Sequence, residues 1–572
     1  MMARCWLAAA LLVVAGSLLP AAPAVSAGAP HWIYLVAKTD TDGRILDWHA
    51  DSFEPTSRQL GLPLDPAALD WLQEHDIRIR FQSRWLNAVS AELRAGEVDR
   101  LRAHPLIAGV EPVRRLTRTP SDVVGKPLVP SDSGSLGRHG WAYEQLAQIG
   151  VTALHRAGLD GTGVRVALLD NGYHYTEHPA FAQLQVIAAR DFINGNDTVT
   201  DQTDQPVTGD ETRSDQNIHG AQVLSLIAGD DAGRFVGVAP RARFILGKTE
   251  DNGEEMPIEE DRWVAGLEWA DSLGADIVSS SLGYTTWDDG TGYTFDDLDG
   301  RTTVTARAAA AAVQRGMVVV VAAGNEAGTV WNAITTPADA PGVIAVGSVD
   351  VPLPGTRDPV LASTSSHGPT ADGRIKPDLV APGQGVVVAN IRGGGYMRVH
   401  GTSFAAPLVA GVCALLLQAQ PEWTPEDVLE ALRSTALDLG ETGPDNLYGW
   451  GQVDARAASG LDTPLPDAAF ADAPFPNPVR AADHTVHFPV MLTEGDHGRI
   501  SIFSVSGQLV FTKEWSRYPG EHTDPGQALV WDIGRMEAER NERLASGVLY
   551  YRLTGKTISR RGSLAVVRGD GE

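Results

Sequence analysis

The chain has 572 residues, room for three or four domains at about 150 residues each. It carries 46 Lys+Arg against 72 Asp+Glu, a formal charge of −26 that repels phosphate backbones and argues against nucleic-acid binding. A hydrophobic content of 43% excludes global disorder, and 60 glycines with 35 prolines point to many tight turns rather than helical bundles.

Residues 1–27 read as a signal peptide, with Arg4, an apolar run from Trp6 to Leu19, and the small-residue site Val25-Ser26-Ala27. No later stretch reads as long and apolar enough to span a bilayer. The two cysteines are Cys5, inside the expected leader, and Cys413, so a disulfide framework is excluded. The expected mature protein is exported and soluble, with one buried thiol.

Residues 31–116 read as a small α+β unit. His31–Lys38, Ile77–Phe81, Leu86–Leu93 and Leu106–Leu116 are strand-like, and Asp65–His75 and Gly96–His104 helical, with Asp65-Pro66 an N-cap and first-turn pair. The β-α-β-β-α-β order predicts a ferredoxin-like unit. Residues 117–140, rich in Thr, Pro, Ser, Gly and Asp, read as an exposed linker. Over 141–460, short apolar runs without alternation (Val164–Leu169, Phe244–Leu246, Ile277–Ser280, Met317–Ala322, Val343–Val346) are separated by helical stretches such as Asp261–Leu273 and Thr303–Arg315. That pattern predicts an α/β domain, a parallel sheet with helices on both faces. Residues 461–476 form a second linker, and 477–572 read as an antiparallel β-sandwich.

Four polar residues stand at the ends of apolar segments. Asp170 follows the strand Val164–Leu169, where the ligand crevice of an open α/β sheet lies; a carboxylate there is a turn residue or a site residue. His219 opens an apolar helix, which would fix its ring as a general base requires; His-Gly recurs at His139, His367, His400 and His497, so the dipeptide alone carries nothing. Ser403 begins a helix apolar nearly all round to Leu417 and is either an N-cap or a hydroxyl beside an oxyanion site at a helix amino end. Asn325 follows the strand Met317–Ala323 and is either a turn residue or an amide donor to a developing oxyanion.

Taken together, an acid, an imidazole, an amide and a hydroxyl occur in the order Asp, His, Asn, Ser. With DNG at Asp170, HG at His219, SLG at Ser281–Gly283, AAGN at Asn325 and GTSFAAP at Gly401–Pro407, the chain resembles the subtilisin-like serine proteases over about Gly161 to Leu417. Subtilisin is itself the reference case for the Asp, His, Ser order. The resemblance implies a serine endopeptidase working through an acyl-enzyme. Ser403 would be the nucleophile, His219 the general base and acid, Asp170 the residue orienting His219, and Asn325 with the Ser403 N–H the oxyanion hole. Ser281, Leu282 and Gly283 would bind the substrate strand and, with Ala322, Ala323 and Gly324, line the pocket for the side chain before the cleaved bond. Lined by glycine, that pocket is expected to admit a large side chain. The chain departs from the family in Asn171 after the aspartate, and in Ala221 and Gln222 after His219-Gly220. His219 and Asn325 stand against the related sedolisins, which use Glu and Asp there.

By the same resemblance, 31–116 would be an inhibitory propeptide, 117–140 the processing region, and the partners protein or peptide substrates and the propeptide itself. The tail, with FPNPVR at Phe475–Arg480 and ASGVLYYRL at Ala545–Leu553, resembles Ig-like sorting domains of bacterial type IX secretion, which would make that machinery a partner, and a related domain of flagellar hook-capping proteins. No cofactor is required by this chemistry and no metal ligand is assigned; the acidic stretch 196–215 is a calcium loop or a solvated surface loop. The rival reading is a surface-attached binding or adhesion protein whose sandwich tail is the functional part.

Overall fold

In a computed structural model, the described residues are 29–40, 44–48, 55–94, 96–113, 123–127, 137–200, 216–251, 258–285, 292–352 and 358–461, followed in the tail by 479–480, 485–489, 497–505, 507–516, 528–533, 536–537, 546–555 and 559–567. The expected leader and most of both expected linkers lie outside them, as does most of the acidic stretch 196–215.

The first unit runs β1 (Ala29–Leu35), β2 (Ala37–Thr39), β3 (Ile45–Asp47), α1 (Ser57–Leu60), α2 (Pro66–Glu74), β4 (Arg78–Ser83), β5 (Ala88–Leu93), α3 (Glu97–Arg102) and β6 (Ile107–Pro112). The Asp65 side chain accepts from the Ala67 N–H and Pro66 fills the first turn, so α2 begins where its capping pair dictates. The expected strand 31–38 is two strands, β1 and β2, divided at Val36. Four strands form an antiparallel sheet in the order β4-β5-β1-β6.

One face of this sheet covers two helices of the following body, α7 (Ile258–Ser272) and α8 (Val304–Gln314). Trp32, Tyr34, Trp85 and Leu86 share one apolar cluster with Trp263, Leu267 and Ala308. Buried polar contacts adjoin it. Asp261 meets Arg80 at 3.0 Å and accepts from the Ser90 hydroxyl, and Glu268 accepts from Ser83 Oγ at 2.5 Å and from the Arg84 N–H at 3.1 Å. The Arg315 guanidinium donates to the Ser57 carbonyl at 2.8 Å.

The body follows as β7 (Val123–Pro127), α4 (Tyr143–Gln148), α5 (Val151–Arg156), β8 (Arg165–Asp170), β9 (Gln185–Asp191), α6 (Ile218–Ala228), β10 (Asp230–Asp231), β11 (Phe235–Val236), β12 (Arg243–Lys248), α7, β13 (Ile277–Ser280), α8, β14 (Val318–Ala322), β15 (Ile344–Asp350), β16 (Leu379–Ala389), β17 (Tyr396–His400), α9 (Thr402–Ala419), α10 (Pro425–Thr435) and α11 (Ala455–Ala458). Nine strands form one sheet, ordered β7-β17-β16-β15-β14-β13-β8-β12-β9. The seven from β9 to β16 are parallel, which accounts for strands such as Val318–Ala322 that are apolar and buried throughout. The edge pairs β16–β17 and β17–β7 are antiparallel.

The expected exposed linker 117–140 contains β7, which pairs with β17. The sequence reading also missed β9, β16 and β17. Finally, α9 is 18 residues long and apolar enough by composition to cross a membrane, which the sequence reading denied to every stretch after the leader; here 83% of it is buried. It packs against β13, β14, β15 and β16 as the central core helix.

In the tail, β18 (Val479–Arg480), β24 (Ser559–Val567), β23 (Gly547–Gly555), β20 (His497–Ser504) and β21 (Leu509–Ser516) form one sheet in that order, and β19 (Thr485–Pro489) pairs with β22 (Ala528–Asp532). Val486, Phe488 and Trp531 from the pair meet Ile500, Tyr551 and Leu564 from the larger sheet in one core. The pairing is not wholly antiparallel, because β18 runs parallel to β24.

Candidate active site

The carboxyl ends of β8, β13 and β14 and the amino ends of α6 and α9 converge on one edge of the sheet. Asp170 is the last residue of β8, inside the strand rather than after it, and only 1% exposed. Its Oδ1 accepts from the Asn171 N–H at 2.8 Å and from His219 Nδ1 at 2.7 Å. A carboxylate partner on Nδ1 selects the tautomer with the proton there and the lone pair on Nε2.

His219 lies on the first turn of α6, which the chain enters through Asn217 at φ +74°. Gly220 lets this helix press against β8: a Cβ there would stand 2.3 Å from the Gly172 carbonyl oxygen and 3.0 Å from Asp170 Cβ. Asn171, one of the departures from the family pattern, has a specific task. Its Oδ1 accepts from the Gly220 N–H at 3.0 Å, tying the start of α6 to the end of β8. Gln222, another departure, directs its amide to Met397 Sδ at 3.5 Å. Tyr173 is fully buried; desolvation, then the Asp170 charge, pushes its phenol well up, so it stays neutral and donates to the Gly247 carbonyl at 3.2 Å.

Ser403 is the second residue of α9 and 6% exposed. Its hydroxyl lies 3.4 Å from the Ser281 carbonyl oxygen, and Ser281 Oγ donates back to the Ser403 carbonyl at 2.7 Å, lacing the end of β13 to α9. The Phe404 ring stands 5.7 Å from that of His219, centre to centre, which sets the imidazole against the first turn of α9. Gly401, with no Cβ, turns the chain from β17 into this helix at φ +147°.

Asn325 lies just past β14. Its Oδ1 accepts from the Thr402 N–H at 2.8 Å and from the Thr402 hydroxyl at 3.1 Å. With the oxygen so engaged, the orientation of the amide is fixed, the NH2 being its other arm. Burial raises the carboxyl of the neighbouring Glu326, against the Thr329 hydroxyl bonded to it. Thr402 and Asn171 are positioning residues that sequence reading missed, although each sits inside a quoted motif.

Ser281, Leu282 and Gly283 continue from β13, while Ala322 ends β14 and leads to Ala323 and Gly324. The two segments are joined across 334–336. Tyr284 and Thr336 exchange backbone hydrogen bonds at 2.9 and 3.2 Å, and the Thr335 N–H donates to the Ala323 carbonyl at 3.0 Å. The Thr335 side chain touches both glycines, Gly283 and Gly324. Cys413 is a buried core residue of α9, its thiol pushed up to about 12 by burial. Of the acidic stretch, 201–215 lie outside the described residues; Asp197 pairs with Arg190 at 3.7 Å.

Residues 161–451 match the subtilase family. The M-protease of Shouchella clausii is 30% identical over 400 residues, covering 69% of this chain and 85% of the relative. Subtilisin E of Bacillus subtilis is 29% identical over 395 residues, covering 68% and 85%. The structure of fervidolysin from Fervidobacterium pennivorans shares the fold, with a TM-score of 0.54 at 21% identity over 95% of this chain and 78% of that one. A match over half the chain, together with relatives covered over most of their own length, makes this chain a member of the subtilase family, a subtilisin-like serine endopeptidase.

Proposed function

We propose that Ser403 attacks the scissile carbonyl while His219 takes its proton at Nε2 and later delivers it to the leaving amine. Asp170 holds the imidazole in its reactive tautomer and stabilises the cation formed. The tetrahedral oxyanion is met by the Asn325 NH2 and the Ser403 N–H, the latter aided by the positive end of α9. Ser281–Gly283 holds the substrate strand, and with Ala322–Gly324 walls the pocket for the side chain before the cleaved bond. The observation that carries this reading is the pairing of a 2.7 Å His219–Asp170 bond with an Asn325 oxygen pinned by Thr402, next to Ser403. The chemistry draws on no cofactor, and calcium in the stretch 196–215 is left unassigned.

The same reading extends to the ends of the chain. Residues 1–27 direct export, 31–116 act as an inhibitory propeptide removed within 117–140, and the tail from 477 is a sorting or surface-attachment domain engaging secretion machinery of the type IX kind. Its support is the sequence resemblance, together with the buried Asp261 and Glu268 contacts that seat the N-terminal sheet on α7. Mass spectrometry of the secreted chain, with Ser403 and with Ser403→Ala, tests it. The active chain is expected to lose its N-terminal unit and hydrolyse casein; the variant is expected to do neither. An unprocessed active chain that leaves casein intact contradicts the reading. Deleting the tail is expected to spare hydrolysis and abolish surface retention, whereas the adhesion alternative predicts a tail that functions without the catalytic body.

A further inference from the structure

We infer that Thr335 closes the pocket for the residue before the cleaved bond and restricts it to small side chains such as glycine, alanine and serine. This rests on the proposed roles of Ser403 and of the two wall segments. From sequence, Gly283 and Gly324 suggest a slot left open for a large group. The structure gives the glycines another partner. A Cβ at Gly283 would lie 2.1 Å from Thr335 Oγ1, and one at Gly324 would lie 2.7 Å from Thr335 Cγ2 and 2.9 Å from Ser366 Oγ. The two glycines therefore make room for the threonine, whose hydroxyl lies nearest Gly283 and donates to the Ala323 carbonyl at 3.5 Å, and whose methyl lies nearest Gly324.

Thr335 has nowhere to retreat. It is 3% exposed, its N–H is bonded to the Ala323 carbonyl at 3.0 Å, and its own carbonyl accepts from the Ala338 N–H at 3.0 Å. The next residue, Thr336, is locked to Tyr284 in both directions. Behind Ala323, Leu298 and Ile334 are fully buried in one cluster. A β-branched side chain has few rotamers to choose from, and a packed interior does not open for one substrate. A phenyl ring entering between the walls would have to displace this side chain, whereas a methyl group would not.

The test uses the full secreted chain and two fluorogenic peptides identical except for Ala or Phe before the cleaved bond. One methylene in a fitted pocket changes kcat/KM about 10–200-fold, so Ala is expected to exceed Phe by at least about tenfold. Thr335→Gly is expected to lower that ratio by at least about tenfold, and Thr335→Ser, which keeps the hydroxyl and removes the methyl facing Gly324, by less. A wild-type chain that cuts the Phe peptide as well as the Ala peptide overturns the inference, as does a Thr335→Gly chain with an unchanged ratio. If Thr335→Gly does not fold, the wild-type ratio decides alone. If neither peptide is cut and a fluorophosphonate leaves Ser403 unlabelled, the catalytic reading itself fails and the pocket assignment with it; labelling with the wrong ratio overturns the pocket assignment alone.

Discussion

A single methyl group at position 220 probes the geometry on which the histidine depends. In Gly220→Ala the new Cβ would fall 2.3 Å from the Gly172 carbonyl oxygen, 3.0 Å from Asp170 Cβ and 3.1 Å from Asp170 Oδ1, the first about 1 Å short of ordinary contact. The obstructing atoms are backbone and the aspartate itself. Gly172 is held at φ +116°, where a Cβ would lie 2.0 Å from Asn217 Oδ1. The strain is therefore relieved by moving α6 away from β8, which lengthens the 2.7 Å His219–Asp170 bond. A misplacement of about 1 Å at a catalytic group costs roughly 100-fold in rate, and overpacking of this kind costs about 1–3 kcal/mol of stability. The assay is kcat/KM on a fluorogenic peptide, normalised to fluorophosphonate-titrated sites, with a urea midpoint on the same preparation. Unaltered kcat/KM and midpoint in Gly220→Ala would show that α6 does not press on β8 closely enough to set the histidine.

Removing the Asn325 donor as Asn325→Leu is expected to lower kcat by about 100- to 1,000-fold with little change in KM, the range known for subtilisin's own oxyanion-hole asparagine. Burial pushes the Asp261 carboxyl up to about 6 from 3.8, against the opposing pull of Arg80. The docked form thus holds a proton that a solvated carboxyl gives up, so seating of the N-terminal sheet is strongest below the solvated pKa and weakens as pH rises through about 6. With the chain cut between the two, gel filtration should retain more N-terminal unit on the body at about pH 4.5 than at about pH 7.5; Asp261→Asn should shrink the difference, and Glu268, whose carboxyl burial also raises, carries the rest. Cys413, its thiol raised to about 12 and fully buried, should resist iodoacetamide in the native chain and react completely in urea.

Much of this candidate site was legible in the sequence because each group stands at one end of an apolar segment. Strands such as β8, β13 and β14, buried on both faces, announce themselves as continuous apolar runs, and the crevice of a parallel sheet lies at their carboxyl ends. Other elements carried no such signal. In β9 most residues are partly exposed, and β16 contains Pro382, Gly383 and Gly385, which read as turn punctuation but occupy a strand whose register shifts between Gln384 and Val386. The roles of Asn171 and Thr402 depend on bonds across 49 and 77 residues, distances at which local pattern says nothing. Thr335 illustrates the same limit. Glycine on two strand ends reads as open space until a third segment is folded between them.

Every step of the proposed hydrolysis depends on Ser403, activated by His219, as the nucleophile. Labelling the purified chain with a serine-directed fluorophosphonate, followed by peptide mapping, reads this out. The label should fall on Ser403 alone and fail to form in His219→Ala, while Asp170→Asn should lower the rate by about 10,000-fold. A label on another residue, or wild-type labelling without His219, would contradict it.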